Sequence, residues 1–448
     1  MGIGLFPITR NSNIWNTVFH TSYEHMIRFH KFFSYAFLIL SGTHLFLWLV
    51  YFGMSGMLST NIMFGSVPYT YDKRDFTIPA MYYVFVFFLI PIFGILSLNR
   101  IRRWKYEIFY YSHMIGAVIV VAMVVWHAKS SWYYVVPPII LYVIDQLMLM
   151  WKCTRIAHVL DIQRLNDQRY VEISVSVDEI FKSEIYEAHM DIYNKSLSNK
   201  DKKLFVFGQY FWINIPSVSS YEWHPICCVN SSLAKRECTF IIQKKQIKKE
   251  IESTQNNNNE WCEKVCDLVH SKEKIVNKMM EFKLDGPYGE PIIIDAYRKI
   301  LIVVGGVGFV SYISFFEYML KRAIRDETQI SVDLVWLSKS PKIYLSFKSI
   351  LREYAARFDN DPERLFDIRL FYTQRIQSSE VSEIQLSLGK LSLEYAPGRP
   401  NLMKELSYIE GLGTFTLIMA SGPAKLLQAT QKVAVRYGAH YRQESFVL

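Results

Sequence analysis

Hydrophobic and polar positions divide this chain into three regimes, each with its own period. The first is a set of long apolar runs: Arg28 to Phe52 (RFHKFFSYAFLILSGTHLFLWLVYF), residues 78–99, Tyr106 to His127 (YEIFYYSHMIGAVIVVAMVVWH) and residues 132–150. A run of about 20 apolar residues is long enough for a helix to cross the hydrocarbon core of a bilayer. Four spans are therefore expected, at 30–52, 78–99, 107–127 and 132–150. From about Asp161 the period falls to two: VEISVSV (171–177), YFWINI (210–215) and CTFIIQ (238–243) predict short strands without long helices between them, as in an antiparallel β-barrel. Polar inserts at 194–203 and 244–260 interrupt that stretch and read as solvated loops.

The third regime alternates strand and helix. KILIVV (299–304) precedes FVSYISFFEYMLKRA, VDLVWL (332–337) precedes FKSILREYAARF, LFDIRLFY (365–372) follows, and TFTLIMA (414–420) precedes SGPAKLLQATQKVAVRY. Such alternation predicts a parallel sheet with helices on its faces and ligands at the strand C-termini. The expected organisation is multidomain: a helical transmembrane bundle at 1–152, an antiparallel barrel at 153–296 and an α/β parallel-sheet domain at 297–448.

Charge sharpens the membrane reading. Arg28 and Lys31 flank the first span, Arg100, Arg102, Arg103 and Lys105 fill the connection after the second, and Lys152 and Arg155 follow the fourth. With four crossings all three clusters fall on one side, which the positive-inside rule makes cytoplasmic. Much of the basic character behind the formal net charge of +9 thus lies beside the spans, and nucleic acid is not an expected partner. All six cysteines lie after the last span without strong zinc spacing, as expected of free thiols in a reducing compartment. No cleavable signal precedes the spans, and MGIGLF lacks the residue a myristoyl anchor needs at position six.

Four histidines interrupt the apolar runs: His30 and His44 in the first, His113 and His127 in the third, fourteen residues apart in each. On a helix that spacing returns to within about 40° of the same face and separates the rings by about 21 Å. Ionisable residues at membrane depth are costly and usually functional. Facing pairs His30/His113 and His44/His127 would each fill both axial positions of a haem iron. Zinc suits the pattern less, because this spacing cannot bring both histidines of one helix to one metal. His20 and His25 fall off that face and read as structural, and Arg10 reads either as a membrane-flanking charge or as a partner for a haem propionate.

Two features of the remaining chain carry candidate chemistry. Gly305-Gly306-Val307-Gly308 follows a buried strand and precedes an apolar helix, an arrangement that lets backbone N–H groups approach a pyrophosphate. Ser338 and Lys339, just past their strand, are candidates for a ribose 2′-phosphate, with a solvated loop lysine as the competing reading. His224-Pro225 either sets donors against a planar cofactor or marks a turn.

The order of parts, with FPITRNSN, EHMIRFHKF, RRWKYEIFYYSHMIG, INIPSVSSYEWHPICC, LDGPYG, VVGGVG, GRPN and SGP, resembles the ferric reductase/NADPH oxidase superfamily, most nearly the ferric-chelate reductases of plants and fungi. The resemblance implies two b-type haems on His30, His44, His113 and His127, and a ferredoxin reductase-like flavin and nucleotide half. It places FAD against His224, Pro225, Ile226 and Cys227, with Trp261 and Cys262 near its phosphates. NADPH, or NADH, would meet Gly305, Gly306, Gly308, Ser338, Lys339, Ser421, Gly422, Pro423 and Phe446. The implied activity carries electrons from cytosolic NADPH through FAD and two haems to ferric or cupric chelates across the membrane. The alternatives are superoxide production from oxygen and a non-catalytic haem-binding membrane subunit. The membrane is a plasma or organelle membrane. Ile226 and Cys227 stand where the family has an aromatic and a hydroxyl, Phe309-Val310-Ser311 where Thr-Pro is usual, and Ser421 where cysteine is usual. Family members carry two more helices before TRNS, so a protein partner supplying helices is among the expected partners.

Overall fold

The computed structural model describes residues 9, 23–56, 66–71, 74–79, 91–104, 106–127, 129–152, 156–165, 170–177, 208–243, 261–271, 281–289, 292, 294, 296–324, 329–358, 365–391, 393–398 and 400–444. The chain divides into two compact units, Met1–Trp151 and Lys152–Leu448.

The first unit is helical. Helix α1 spans Tyr23–Met54, α2 Asn99–Trp104, α3 Tyr106–His127 and α4 Trp132–Lys152, and residues 91–96 are also helical. Three helices among the described residues are long and apolar enough to cross a membrane: Met26–Met54, Ile108–Val125 and Trp132–Trp151. Within α1, Ser34 and Thr43 turn their hydroxyls back onto the carbonyls four residues earlier, 2.7 Å from His30 O and 3.0 Å from Ile39 O. The polar groups of an apolar helix are thus satisfied inside the helix.

Three expectations shift. Helix α1 starts at Tyr23, seven residues before the expected span, and so includes His25. The loop after it contains a hairpin, β1 Ser66–Tyr71 against β2 Arg74–Pro79, whose alternating aromatic and β-branched residues pair in register from Ser66↔Pro79 to Tyr71↔Arg74. Ile78 and Pro79, placed at the start of the second span, belong to that hairpin, and residues 80–90 of the span lie outside the described residues. The arginine-rich connection is itself the short helix α2.

The second unit begins with a closed barrel of β3 Ile156–Arg164, β4 Tyr170–Ser176, β5 Tyr210–Asn214, β6 His224–Ser232, β7 Glu237–Gln243 and β8 Glu281–Tyr288, in the order β3-β4-β7-β6-β5-β8. All its pairings are antiparallel. Val171, Ile173 and Val175 of β4 alternate into its core with Phe211, Ile213, Phe240 and Phe282, as the period of two predicted. Helix α5, Trp261–Ser271, was not foreseen; it closes one side of the barrel through Trp261, Val265, Cys266 and Val269.

The sheet that follows has the order β12-β11-β10-β9-β13-β14, with β9 Lys299–Gly305, β10 Ser331–Ser338, β11 Phe366–Tyr372, β12 Leu393–Tyr395, β13 Thr416–Ser421 and β14 His440–Glu444, all parallel. Helices α6 Ile313–Ile324, α7 Lys348–Phe358, α8 Ser378–Leu388 and α9 Ala424–Tyr437 connect them. Ile300, Leu301, Ile302, Val303 and Val304 are fully buried, the unbroken apolar run of a strand covered on both faces. At about 1.5–3 kcal/mol for each buried aliphatic side chain, this strand anchors the unit. At its N-terminal end Lys299 Nζ lies 3.0 Å from the buried Asp333 Oδ2, which also accepts from the Tyr408 hydroxyl. The opposite, C-terminal end is left for ligands. Chain order reverses there between β9 and β13, the switch point at which open α/β sheets bind them.

Candidate functional site

The membrane unit brings His30 of α1 and His113 of α3 together, ring centroids 6.1 Å apart and planes at 86°. With metal–imidazole bonds of about 2 Å, two rings gripping one iron from opposite sides have centroids roughly 6 Å apart. The spacing and the donor set therefore fit a haem iron with both axial positions filled. His44 lies further along α1 with its ring 6.5 Å from Trp48, within an aromatic group of Trp48, Tyr51 and Phe52. His127 ends α3, and its side chain lies outside the described residues.

In the barrel, His224 opens β6 and stacks on Trp261, the first residue of α5, at 4.3 Å and 22°. Its Nε2 stands 3.3 Å from Glu222 Oε2. Trp261 is 4% exposed, and its buried Nε1 has no hydrogen-bond partner among the described residues. A buried indole donor without an acceptor among the described residues, at the first residue of a helix, fits the phosphate and polar edge of a bound dinucleotide. Cys262 follows, partly buried against the barrel core.

The strand splits the remaining flavin candidates between two faces. Ile226 packs against the barrel core, whereas Cys227 joins Tyr210, Trp212 and Tyr288 outside it. Pro225 pairs with Trp212, and Cys227 with Tyr210. Alternation along a strand makes this unavoidable: Ile226 and Cys227 do not share a surface.

The nucleotide candidates converge at the switch point. After β9 the chain turns through a 3-10 segment, Gly306–Ser311, so α6 starts at Ile313, four residues later than the sequence pattern placed its helix. Gly306 has φ +58°, open to glycine, and its carbonyl accepts from Trp336 Nε1 at 2.8 Å. A Cβ on Gly308 would stand 2.6 Å from Ser421 O, and one on Gly305 would stand 2.8 Å from Pro423 Cδ. Gly305, Gly308, Ser421, Gly422 and Pro423 are thus pressed together, two turns approaching too closely for side chains, while a Cβ on Gly306 would meet nothing within 4 Å, the open lip of this glycine cradle.

This cradle meets the barrel. The Ser314 hydroxyl donates to Val229 O of β6. Ser311 Oγ lies 3.4 Å from Ser421 Oγ and also hydrogen-bonds the Cys227 thiol. The Tyr312 hydroxyl donates to Ala420 O at 3.0 Å. Burial pushes the Cys227 thiol up, and the Glu444 carboxylate adds to that, against the Ser311 hydrogen bond. The group is a neutral S–H, not a thiolate. Glu444 is itself tied to Arg442 Nε at 3.1 Å. Ser311 and Glu444 were not singled out in the sequence; the one signal available was the hydroxyl in Phe309-Val310-Ser311, a residue past the usual threonine.

Ser338 ends β10 and Lys339 follows it, their carbonyls accepting from Thr373 N and Gln374 N at 3.0 Å each. Lys339 is exposed at the strand C-termini. Asn401 of the GRPN segment caps the short helix Leu402–Glu405, accepting from Met403 N at 3.1 Å. Phe446 lies outside the described residues.

Three family models match the chain in series. One described as a ferric reductase like transmembrane component matches residues 1–124, an FAD-binding domain matches 165–292, and a ferric reductase NAD binding domain matches 297–435. A superoxide-generating NADPH oxidase heavy chain of Dictyostelium discoideum is 23% identical over 359 residues, covering 71% of this chain and 46% of its own. Ferric reduction oxidase 4 of Arabidopsis thaliana is 22% identical over 388 residues, covering 82% of this chain and 48% of its own. The chain spans about half the length of these curated relatives. Among solved structures, the ferredoxin reductase in carbazole 1,9a-dioxygenase aligns with 65% of this chain and 68% of its own, at 14% identity and a TM-score of 0.41.

Proposed function

Because this chain belongs to the ferric reductase/NADPH oxidase superfamily, we propose that it is a multi-pass membrane oxidoreductase that passes reducing equivalents from cytosolic NADPH to a ferric or cupric chelate across the bilayer. The observation that carries this reading is the His30–His113 pair, set at iron-bridging separation on the same chain as a flavin-type barrel and a nucleotide-type sheet. Bound in these places, the reduced nicotinamide would donate a hydride, FAD would accept it, and two haems would take its electrons one at a time.

The protein's own part is placement. His30 and His113 would hold the inner haem iron between their rings, which would keep acceptor chemistry away from it. His44 and His127 serve the outer iron. His224, Trp261 and Cys262 would hold the phosphates of FAD, Pro225 and Cys227 would contact it from the opposite strand face, and Ile226 supports them from the barrel core. The Gly305–Gly308 turn and Ser421-Gly422-Pro423 admit the nicotinamide dinucleotide only where no side chain intrudes. Lys339 supplies the charge, and Ser338 the hydroxyl, that select a 2′-phosphate, hence NADPH over NADH. The neutral Cys227 thiol keeps its proton and does not act as a nucleophile.

Oxygen is the second acceptor to test, because one similar relative is a superoxide-generating oxidase. A reduced-minus-oxidised spectrum of the purified full chain, with haem and flavin quantified, tests the assignment directly. Two b-type haems and one flavin per chain are expected; a colourless protein after expression with ample haem would end it. Ferric-chelate reduction that is insensitive to superoxide dismutase separates a metal acceptor from oxygen.

A further inference from the structure

His113 has a second polar neighbour that no spacing in the sequence marks. Its Nδ1 lies 2.9 Å from Ser97 Oγ, and that same oxygen lies 2.7 Å from Phe93 O. A carbonyl oxygen has no hydrogen to give, so a contact of that length between two oxygens requires the serine hydrogen to lie between them. The Ser97 hydroxyl is therefore committed as a donor to Phe93, one turn back along the segment that starts at residue 91. Toward His113 it can only accept. The imidazole must then carry its hydrogen on Nδ1, and Nε2 alone keeps a lone pair.

Packing holds Ser97 in that place. Gly116, three residues beyond His113 on α3, has no side chain, and the Phe93 ring fills the space, its Cδ1 only 2.5 Å from where a Cβ would stand. Phe93 also accepts Ser97 N at 3.0 Å, so the peptide turn and the hydroxyl are fixed to one carbonyl.

We infer, resting on the haem assignment above, that Ser97 is the positioning residue of the inner haem site: it fixes the His113 tautomer so that Nε2 faces the iron, and it sets the ring plane. A ligand imidazole whose other N–H is hydrogen-bonded is a stronger donor. That donation favours ferric over ferrous iron and holds the midpoint potential down.

The test is a potentiometric titration of the haem-loaded full chain, which resolves two components. In Ser97→Ala one component rises by about 59 mV, the one-electron equivalent of a tenfold shift, and the other stays. Ser97→Thr, which keeps the hydroxyl, returns the wild-type value, whereas its near-isostere Ser97→Val behaves like alanine. That pair decides the matter even where Ser97→Ala does not accumulate. Ser112→Ala is the control, since Ser112 Oγ donates to Phe109 O at 3.2 Å on the same helix as His113; it leaves both components in place. The assignment is overturned if Thr and Val variants titrate alike, if both components move together, or if Ser112→Ala moves the same one. Retention of both components in His113→Ala would overturn the haem assignment itself, and Ser97 with it.

Discussion

The two units use the same apolar residue types in opposite ways. On α3 Ile115 is 59% exposed, and on β9 Ile302 is 0% exposed. The first faces outward along a helix whose backbone bonds are satisfied internally; the second is enclosed between helices on both sides of a sheet. Such an outward apolar face is stable only where the solvent is lipid, and there burial between helices gains little, because lipid tails are as apolar as leucine. The membrane unit is therefore specified by its few polar groups: His30, His113, His44 and the hydroxyls folded back on carbonyls. The other unit is specified by its packed core. Damage to the first should appear in the cofactor, and damage to the second in stability and alignment.

The largest expected effect makes that division visible. On the proposed two-haem reading, His30→Ala should remove one haem component and abolish electron delivery across the membrane, while NADPH should still reduce bound flavin at the wild-type rate. Rapid-scan absorbance in detergent follows both events. Slowed flavin reduction in this variant would mean that the units are not separable in this way.

Gly308→Val attacks from the other side. Its Cβ would meet Ser421 O at 2.6 Å, and backbone cannot swing away as a side-chain end can. A displacement near 1 Å at a reacting site is enough for about a hundredfold loss in rate. NADPH-driven flavin reduction should fall by that order with both haem components intact, and dithionite should still reduce them. Normal turnover in this variant would mean that the cradle is not where the nucleotide lies.

A matched pair of truncations is smaller in effect but sharper. Ile302→Ala should destabilise its unit by about 2–5 kcal/mol, whereas Ile115→Ala in vesicles should stay within about 0.5 kcal/mol. Denaturation followed by tryptophan fluorescence measures the first, and retention of haem on heating the second. An equal loss at Ile115 would show that protein, rather than lipid, covers that face.

What could be read in the sequence follows the same division. Strands at 171–177 and 299–304 were legible because burial imposes a period or an unbroken apolar run, and β4 and β9 stand there. His30 and His113 were legible because each is followed fourteen residues later by a second histidine, a spacing that a helix turns into one face. The separation of Ile226 from Cys227 was also available, since neighbours on a strand point apart; treating HPIC as one surface overlooked it. Other features had no local signal. Ser97 lies sixteen residues from His113 and resembles any serine near a helix end, and Ser311 meets Cys227 across 84 positions of chain. Such contacts are set by packing between elements, through Phe93 on Gly116 in one case and α6 on β6 in the other. The hairpin at 66–79 was hidden by its position between apolar runs.

The smallest expected effect concerns a carboxylate that water reaches poorly. Burial raises the pKa of Glu172 on β4, and Asp161 on β3 and Glu317 on α6 raise it further. The folded state therefore holds this proton to higher pH than the unfolded chain, whose ordinary value is 4.5. As pH climbs past that value the unfolded state ionises first, and stability falls until the folded carboxyl has ionised too. Above that range the cost is constant, carried by a partly desolvated charge facing two like charges. Glu172→Gln removes it. The variant should melt at a slightly higher temperature than the parent at pH 7, and the gap should close on acidification toward pH 4.5. Melting curves of both proteins across that range, read on the barrel and sheet rather than on haem, measure the gap. A pH-independent difference would assign the gain to local packing, and a less stable variant would mean that the carboxylate is stabilised by an interaction stronger than the repulsion around it.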